Sequence, residues 1–309
     1  MLLREVEEQT VLRRQPRGHV TAQRRPWSPA TAFSLGRPID LRYPTNVSVV
    51  VLALLCLTAG AVTLIIQDVP WVEAIREGTL WAGALLLGWA LGRETDPDHP
   101  LSAFAAAAGS LVGSWLLGPP GFLLSLWMLL AMRAINGSPG ATPGALDLVV
   151  LAGASLWLAV SVHWLVAALG SPVIWWVGSA RRSARLRWGG SVLFLLVAAA
   201  IATFRGLRLD LWRWEEPEGI AAISVAMLAL VSAWAYRQIR SIGDRDQRPL
   251  CRGRVRVALV WAGFGCLLLT MADGVGLRVV TPIAAAIGSA AVGRAARVCW
   301  ERMPRGRKG

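Results

Sequence analysis

Lysine is nearly absent from this chain: Lys308 is the only one, although the formal net charge is +13. Charged residues of either sign make up only 17% of the 309 residues, whereas 55% are hydrophobic. A soluble domain of this size could not bury so much apolar side chain in its core. Because residues 1–47 are the longest polar stretch, a large soluble domain is excluded.

The sequence also lacks the motifs that identify many membrane enzymes. It has neither the aspartate-rich boxes of intramembrane prenyltransferases nor the spaced aspartates of CDP-alcohol phosphotransferases, and HExxH, GxSxG and phosphate-loop patterns are missing. The four cysteines have neither CxxC nor metal-ligand spacing. These absences argue against an enzyme of a familiar class, and they leave no cofactor to predict.

Long apolar segments, separated by arginine clusters or Gly/Pro turns, fill most of the chain. Ser48–Ile66 contains no charge over nineteen residues, enough for a helix to cross about 30 Å of hydrocarbon. The pattern predicts an all-α fold, a polytopic helical membrane bundle of about eight (seven to nine) transmembrane helices. The candidate segments are Ser48–Ile66, Trp71–Gly92, Leu101–Leu117, Gly121–Ile135, Leu146–Leu169, Trp188–Phe204, Gly219–Tyr236, Val257–Ala272 and Val275–Val292.

Three regions follow from these segments. Residues 1–47 form an Arg- and Pro-rich polar tail that we expect to be disordered, and that is a candidate binding segment for a protein partner. Residues 48–293 form the transmembrane domain, and residues 294–309 a basic C-terminal tail. Within the domain, Val173–Ala180 is too short to cross a bilayer and is interpreted as an interfacial segment.

Arginine clusters predict the orientation in a plasma membrane. The segment Arg237–Arg256 carries seven arginines against two aspartates, so it and the C-terminal tail are predicted to be cytoplasmic. Alternation then places the loop Arg93–Pro100 outside. Eight crossings put the N-terminal tail inside, as its arginines require, and nine put it outside. The clusters are expected to contact anionic lipid headgroups rather than nucleic acid.

The densest polar cluster is the loop between Arg93 and Pro100. Glu94, Asp96, Asp98 and His99 are candidate catalytic residues, and Asp96, Asp98 and His99 are candidate ligands of a divalent cation. Turn formation and helix capping are the favoured roles for the same residues.

Two further polar residues lie in the segment Leu146–Leu169. His163 is a candidate intramembrane ligand or proton relay, because ionisable side chains at membrane depth are often functional. The favoured role is that of a neutral histidine hydrogen-bonded to a neighbouring helix. Asp147 begins the segment, where an acid complements a helix N-terminus. Capping is therefore the favoured role for Asp147.

Small residues at four-residue spacing predict a closely packed hairpin within the first half of the chain. The two stripes are expected to face each other and to let the helices approach closely. They consist of Ala84, Gly88 and Gly92 in one segment, and of Ala105, Gly109 and Gly113 in the next.

The sequence thus predicts a multi-pass plasma-membrane protein that is transporter-like or lipid-interacting, and classical enzyme activity is not favoured. One alternative is an enzyme that acts on a lipid-linked phosphate at the outer face through the loop 93–100. The other is a structural or assembly subunit of a membrane complex.

Overall fold

Helices joined by short connections make up the part of the chain that the computed structural model describes, which is residues 33–36, 39–180, 183–205, 216–236, 239–243 and 248–302. This part contains ten α-helices. They are α1 (Pro44–Ile66), α2 (Trp71–Thr95), α3 (Pro100–Leu117), α4 (Phe122–Asn136), α5 (Ala145–Ser161), α6 (Leu165–Ala180), α7 (Ser191–Arg205), α8 (Pro217–Ala235), α9 (Arg252–Thr270) and α10 (Gly276–Arg302). A π-helical turn, Arg185–Gly190, leads into α7.

Six of these helices are long and apolar enough to cross a membrane: α1, α3, α7 with its π-helical turn, α8, α9 and α10. The helices α4, α5 and α6 are apolar but shorter. An all-helical architecture with these segments is that of a helical membrane bundle. About eight transmembrane helices were predicted; of the ten helices in the described residues, six qualify as membrane-spanning by length and composition.

The extra helix comes from the stretch 146–180. Leu146–Leu169 was predicted as one helix, but α5 ends at Ser161 and α6 begins at Leu165. The Nδ1 atom of His163 accepts a hydrogen bond from the Leu165 backbone N–H at 3.3 Å, which helps to start the new helix. Val173–Ala180, which was predicted as a separate interfacial segment, forms the second half of α6.

Both boundaries of the predicted transmembrane domain also differ from those of the observed helices. The first helix begins at Pro44, four residues before the predicted start, because proline suits a first helical turn. The last helix continues to Arg302, so Arg294 and Arg297 belong to α10 rather than to a tail. The predictions of disorder and of a protein partner for the N-terminal tail concern chiefly residues 1–32, which lie outside the described residues, as do residues 303–309.

The connections fall into two groups at opposite ends of the helices. At one end, here called the arginine end, the α2–α3 loop contacts the segment after α8: the backbone N–H of Ser241 donates to Asp98 Oδ1 at 2.8 Å. At the other end, the backbone N–H of Gly121, just before α4, donates to the carbonyl of Val279 in the first turn of α10. The prediction that the loop 93–100 and the segment 237–256 lie on opposite sides is therefore wrong, because the two are hydrogen-bonded.

The small-residue stripes pack closely, but on different partners from those predicted. A Cβ at Gly88 would lie 2.5 Å from the Ser110 Cβ of α3, and one at Gly113 would lie 2.4 Å from the Thr281 side chain of α10. A Cβ at Gly109 would likewise lie 3.2 Å from Ala285 of α10. The stripe on α2 thus faces α3, whereas the stripe on α3 faces α10, so the predicted pairing of the stripes with each other is wrong.

The short helix α4 runs through the main apolar core. Its residues are buried almost without interruption from Leu124 to Asn136. The Trp127 ring lies 5.6 Å from the Trp261 ring of α9, and its indole N–H donates to Ser155 Oγ of α5 at 2.8 Å. Arg133 and Asn136 lie in the last turn of α4. This core therefore adjoins the polar groups of the arginine end.

Candidate functional site

Glu94 and Arg133 form a buried ion pair between α2 and α4. The Arg133 Nε lies 3.1 Å from Glu94 Oε1, and the side chains are only 12% and 2% exposed. The second carboxylate oxygen of Glu94 accepts from Asn136 Nδ2 at 3.1 Å. Arg133 also donates to the carbonyl of Leu35, which ties the chain before α1 to this pair. The carboxylate thus has a donor on each oxygen, as a buried charge requires.

Asp96 is buried at the end of α2 and accepts hydrogen bonds on both oxygens. Ser102 Oγ donates to Oδ2 at 2.7 Å, and Arg297 of α10 lies 3.2 Å from the same oxygen. Oδ1 is 3.0 Å from His99 Nδ1 and accepts from the Tyr236 hydroxyl at 3.2 Å. The carboxylate therefore links α2, the first turn of α3, α8 and α10.

The backbone carbonyl of Thr95, like the Asp96 carboxylate, accepts hydrogen bonds from Tyr236 after α8 and from an arginine of α10. It accepts from the Tyr236 hydroxyl at 2.7 Å and from Arg294 at 3.1 Å. The Arg294 guanidinium carbon lies 3.8 Å from the centre of the Tyr236 ring, a close cation–π contact. Burial raises the pKa of the Tyr236 phenol well above its usual value, against the opposing charge of Arg294. The phenol is therefore a neutral donor near pH 7.

Asp98 points away from Asp96 and binds the segment after α8. Its Oδ1 accepts from the Ser241 hydroxyl at 2.7 Å and from the Ser241 backbone N–H at 2.8 Å, and the Arg240 N–H also donates to it. Partial burial raises the pKa of Asp98, but these hydrogen bonds outweigh burial, so its pKa lies below the usual value. Asp98 is ionised near pH 7.

The loop 93–100 therefore forms an interlock, by which we mean the contacts of Glu94, Thr95, Asp96 and Asp98 with α4, α8, α10 and the segment after α8. Of the candidate ligands, Asp96 and His99 are in contact, but Asp98 binds Ser241 instead. Within the described part of the chain, no three His, Cys, Asp or Glu side chains are arranged to hold a metal ion. The observed contacts join helices rather than present groups to a substrate.

The other two predicted polar residues lie far from each other in the fold. Asp147 is fully buried at the arginine end, where it accepts from the Gly144 backbone N–H at 2.5 Å and from Ser34 Oγ at 2.6 Å. It thus contacts the start of its own helix and the chain before α1. His163 is fully buried in the turn between α5 and α6, not within a helix.

A cavity of about 730 Å³ opens beside the interlock. Five elements line it: the residues before α1, the first turn of α1, α2, α4 and the first turns of α5. Most of the lining residues are apolar, and the polar side chains among them are those of Asn46, Arg93, Glu94 and Arg133. The lining residues are Phe33, Gly36, Ile39, Asn46, Leu86, Leu87, Trp89, Ala90, Arg93, Glu94, Leu126, Leu129, Leu130, Arg133, Leu146 and Val150.

The sequence analysis did not select several residues that build this region. Arg133 could have been selected from the sequence, because an arginine inside the apolar segment Gly121–Ile135 is a candidate functional residue by default. Arg294 and Arg297 are three residues apart, the spacing that puts two side chains on one face of a continued helix. Nothing in the sequence marks Tyr236 or Asn46, whose roles depend on contacts between distant helices.

Comparison of the chain with protein-family models, with curated proteins and with solved structures finds no match. The functional argument therefore rests on the geometry of the interlock and of the cavity.

Proposed function

We propose that this protein is a lipid-interacting integral membrane protein that binds a phospholipid in the cavity between α2, α4 and α5, with its arginine end facing the cytoplasm. The carrying observation is the distribution of groups in the cavity, which has apolar walls and one charged end. That distribution matches the chemistry of a molecule with acyl chains and an anionic headgroup. Small-molecule sites commonly combine apolar walls with a few placed polar groups in this way.

The apolar part of the cavity is suited to acyl chains. Leu86, Leu87, Leu129 and Leu130 contribute side chains from α2 and α4. From Leu86 to Arg93, seven residues further along α2, a helix rises about 10 Å, which gives the wall its length. At the rim, Leu126 is 43% exposed and Leu146 is 46% exposed. An apolar, exposed rim lets a lipid chain enter sideways from the hydrocarbon without crossing a polar barrier.

The charged end is suited to a phosphate. Arg93, Arg133 and Glu94 line it and together carry a net charge of +1. Glu94 and Arg133 are paired with each other, and among the contacts of Arg93 its guanidinium lies 5.5 Å from the centre of the Trp89 ring. A guanidinium at headgroup depth is suited to binding phosphate oxygens.

The distribution of arginines supports the proposed orientation. Arg133, Arg240, Arg254, Arg256, Arg294 and Arg297 all make contacts at the arginine end. Ten helices in alternation return the chain to the end at which it began. The chain before α1 and the end of α10 then share one side, so the basic N-terminal tail no longer conflicts with the positive-inside rule. Because the positive-inside rule applies to plasma-membrane proteins, the same arginine distribution supports the plasma-membrane location that we propose.

Catalysis is not included in the proposal. The carboxylates of Glu94, Asp96 and Asp98 each accept at least two hydrogen bonds from the protein. A general acid or base needs a free approach to its substrate, and the interlock occupies that approach.

The proposal is tested by measuring lipid retained on the purified protein. Native mass spectrometry after detergent extraction is expected to show about one bound phospholipid per chain. Ala90 lines the cavity, so the indole of Ala90→Trp should obstruct it and reduce the bound lipid. Ala200→Trp is the matched control, because Ala200 lies on the exposed face of α7. The proposal fails if the wild type retains no lipid, or if Ala90→Trp retains as much lipid as the control.

A further inference from the structure

The π-helical turn Arg185–Gly190 carries an arginine that is held between two tryptophans, away from the cavity. The guanidinium carbon of Arg187 lies 5.7 Å from the centre of the Trp175 ring and 5.5 Å from the centre of the Trp188 ring. The two rings meet edge to face, with their centres 6.5 Å apart. Since Trp175 belongs to α6, these contacts join α6 to the start of α7 and fix the position of the Arg187 charge.

The backbone of Arg187 is also fixed against α6. At Gly178, an added Cβ would lie 2.6 Å from the Arg187 nitrogen, so the two backbones touch. The Arg187 N–H donates to the Ser183 carbonyl at 3.0 Å, and the Ser183 N–H donates to the Gly178 carbonyl at 3.0 Å. A π-helical turn is rare, and such turns occur frequently at functional sites.

Arg187 differs from the arginines that hold helices together at the arginine end. Those arginines each donate to a backbone carbonyl or to a carboxylate; they are Arg133, Arg254, Arg256, Arg294 and Arg297. Arg187 makes no side-chain hydrogen bond within the described part of the chain, and of its guanidinium nitrogens Nε alone is buried without a partner. The two Nη atoms are therefore exposed and open to a ligand. The cation–π contacts position the guanidinium without cancelling its charge.

The neighbouring sequence supplies no carboxylate to neutralise this charge. No aspartate or glutamate occurs between Asp147 and Asp210, whereas residues 181–187 include four arginines. Among the residues that the structure describes, neither Arg185 nor Arg187 forms an ion pair. The patch is therefore positive, and its complement is an anion.

The position of the patch favours a lipid over a soluble anion. It lies at the start of Arg185–Arg205, which is long and apolar enough to cross a membrane. Because α5 begins at the arginine end and α6 returns to it, this start also lies at the arginine end. The next side chains along α7 are apolar and at least half exposed: Val192, Leu193, Leu195 and Leu196. An exposed guanidinium beside interfacial indoles thus lies directly above a surface suited to acyl chains.

We propose that Arg187, with Trp175 and Trp188, binds the phosphate of an anionic phospholipid on the outside of the bundle. The guanidinium N–H groups donate to the phosphate oxygens, and the acyl chains lie along the exposed face of α7. A zwitterionic lipid also carries a phosphate, but its ammonium is repelled by the arginines of residues 181–187, so the site favours a headgroup of net negative charge. None of the three residues lines the cavity, so this is a second lipid site that does not depend on the first.

The test adds lipid back to the detergent-washed, full-length protein. Equimolar phosphatidylglycerol and phosphatidylcholine with identical acyl chains are added, and the newly bound species are counted by native mass spectrometry. We expect the wild type to prefer phosphatidylglycerol by about fivefold, the magnitude for one arginine at a membrane surface. Arg187→Gln should abolish this preference. Trp188→Leu, which removes one exposed ring, should reduce it by about twofold.

Arg42→Gln is the matched control, because Arg42 is exposed at the same end and makes no cation–π contact in the described part of the chain. It should keep the wild-type preference, and so should Ala90→Trp, which obstructs only the cavity. An unchanged preference in Arg187→Gln, or an equal loss in Arg42→Gln, overturns the inference. Loss of the preference in Ala90→Trp assigns it to the cavity and also overturns the inference. If Arg187→Gln loses the preference while Ala90→Trp retains all of its lipid, the surface site stands and the proposed cavity function fails.

Discussion

At the scale of single residues, the arginine end contains charged side chains that are buried together with a partner of opposite charge. Glu94 and Arg133 are almost fully buried, and Asn136 and the Leu35 carbonyl complete their hydrogen bonds. Such a pair contributes little net stability compared with well-packed apolar residues, but the loss of one partner leaves the other as an uncompensated buried charge. The pair therefore specifies how α2 and α4 meet.

Glu94→Ala is expected to lower the free energy of unfolding by about 3–5 kcal/mol, because Arg133 would remain buried without its carboxylate. Unfolding in detergent with increasing denaturant measures the change. Glu73→Ala is the control: its pair with Arg76 has both side chains more than half exposed, so the cost should stay below about 1 kcal/mol. Adding Arg133→Met to Glu94→Ala should recover much of the loss, and a cost no larger than that of the control would contradict the account.

At the scale of the elements, the hairpin α2–α3 packs through close contacts between the two helix backbones rather than through large side chains. Gly88 and Gly92 sit against Ala103, Ala106 and Ser110, at distances that exclude a Cβ without movement. The Ser110 hydroxyl donates to the Ala84 carbonyl at 2.7 Å across the same contact. Close packing of this kind matters inside a bilayer, where apolar burial does not favour helix association.

Gly88→Leu should therefore destabilise the protein by about 1–3 kcal/mol, because the side chain would press on the backbone and on Ser110 of α3. Thermal unfolding in detergent reports the effect. Gly153→Leu is a matched control, since nothing lies within 4 Å of the position of a Cβ at Gly153. Equal stability of the two variants would show that α2 and α3 are not closely packed at this position.

The sequence predicted the helices better than it predicted their partners. Apolar length and proline placement are local properties, so most helices lie close to the predicted segments. The break at Val162–Trp164 has no glycine or proline, and the hydrogen bond of His163 to Leu165 becomes visible only in the fold. Likewise, local turn chemistry explains why the loop 93–100 is polar, but not that Asp98 binds Ser241, which is 143 residues away.

At the scale of the whole molecule, the interlock decides which connections lie on the same side. Asp98 binds the segment after α8, and Asp96 and the Thr95 carbonyl bind arginines of α10. These contacts cannot form across a bilayer, so the loop 93–100 and the end of α10 share one side. The cavity that we propose binds lipid is lined by Arg93 and Glu94 of the same loop and therefore lies near that side.

The most direct test of this account is the accessibility of single cysteines in a cysteine-free background. Pro100 and Arg240 are exposed at the arginine end, and Asp68 and Asp273 are exposed in connections at the other end. In intact cells, an impermeant maleimide should label Asp68→Cys and Asp273→Cys, and it should label Pro100→Cys and Arg240→Cys only after permeabilisation. Labelling of Pro100→Cys from outside, with Arg240→Cys protected, would contradict the account, because it would separate two segments that the interlock joins.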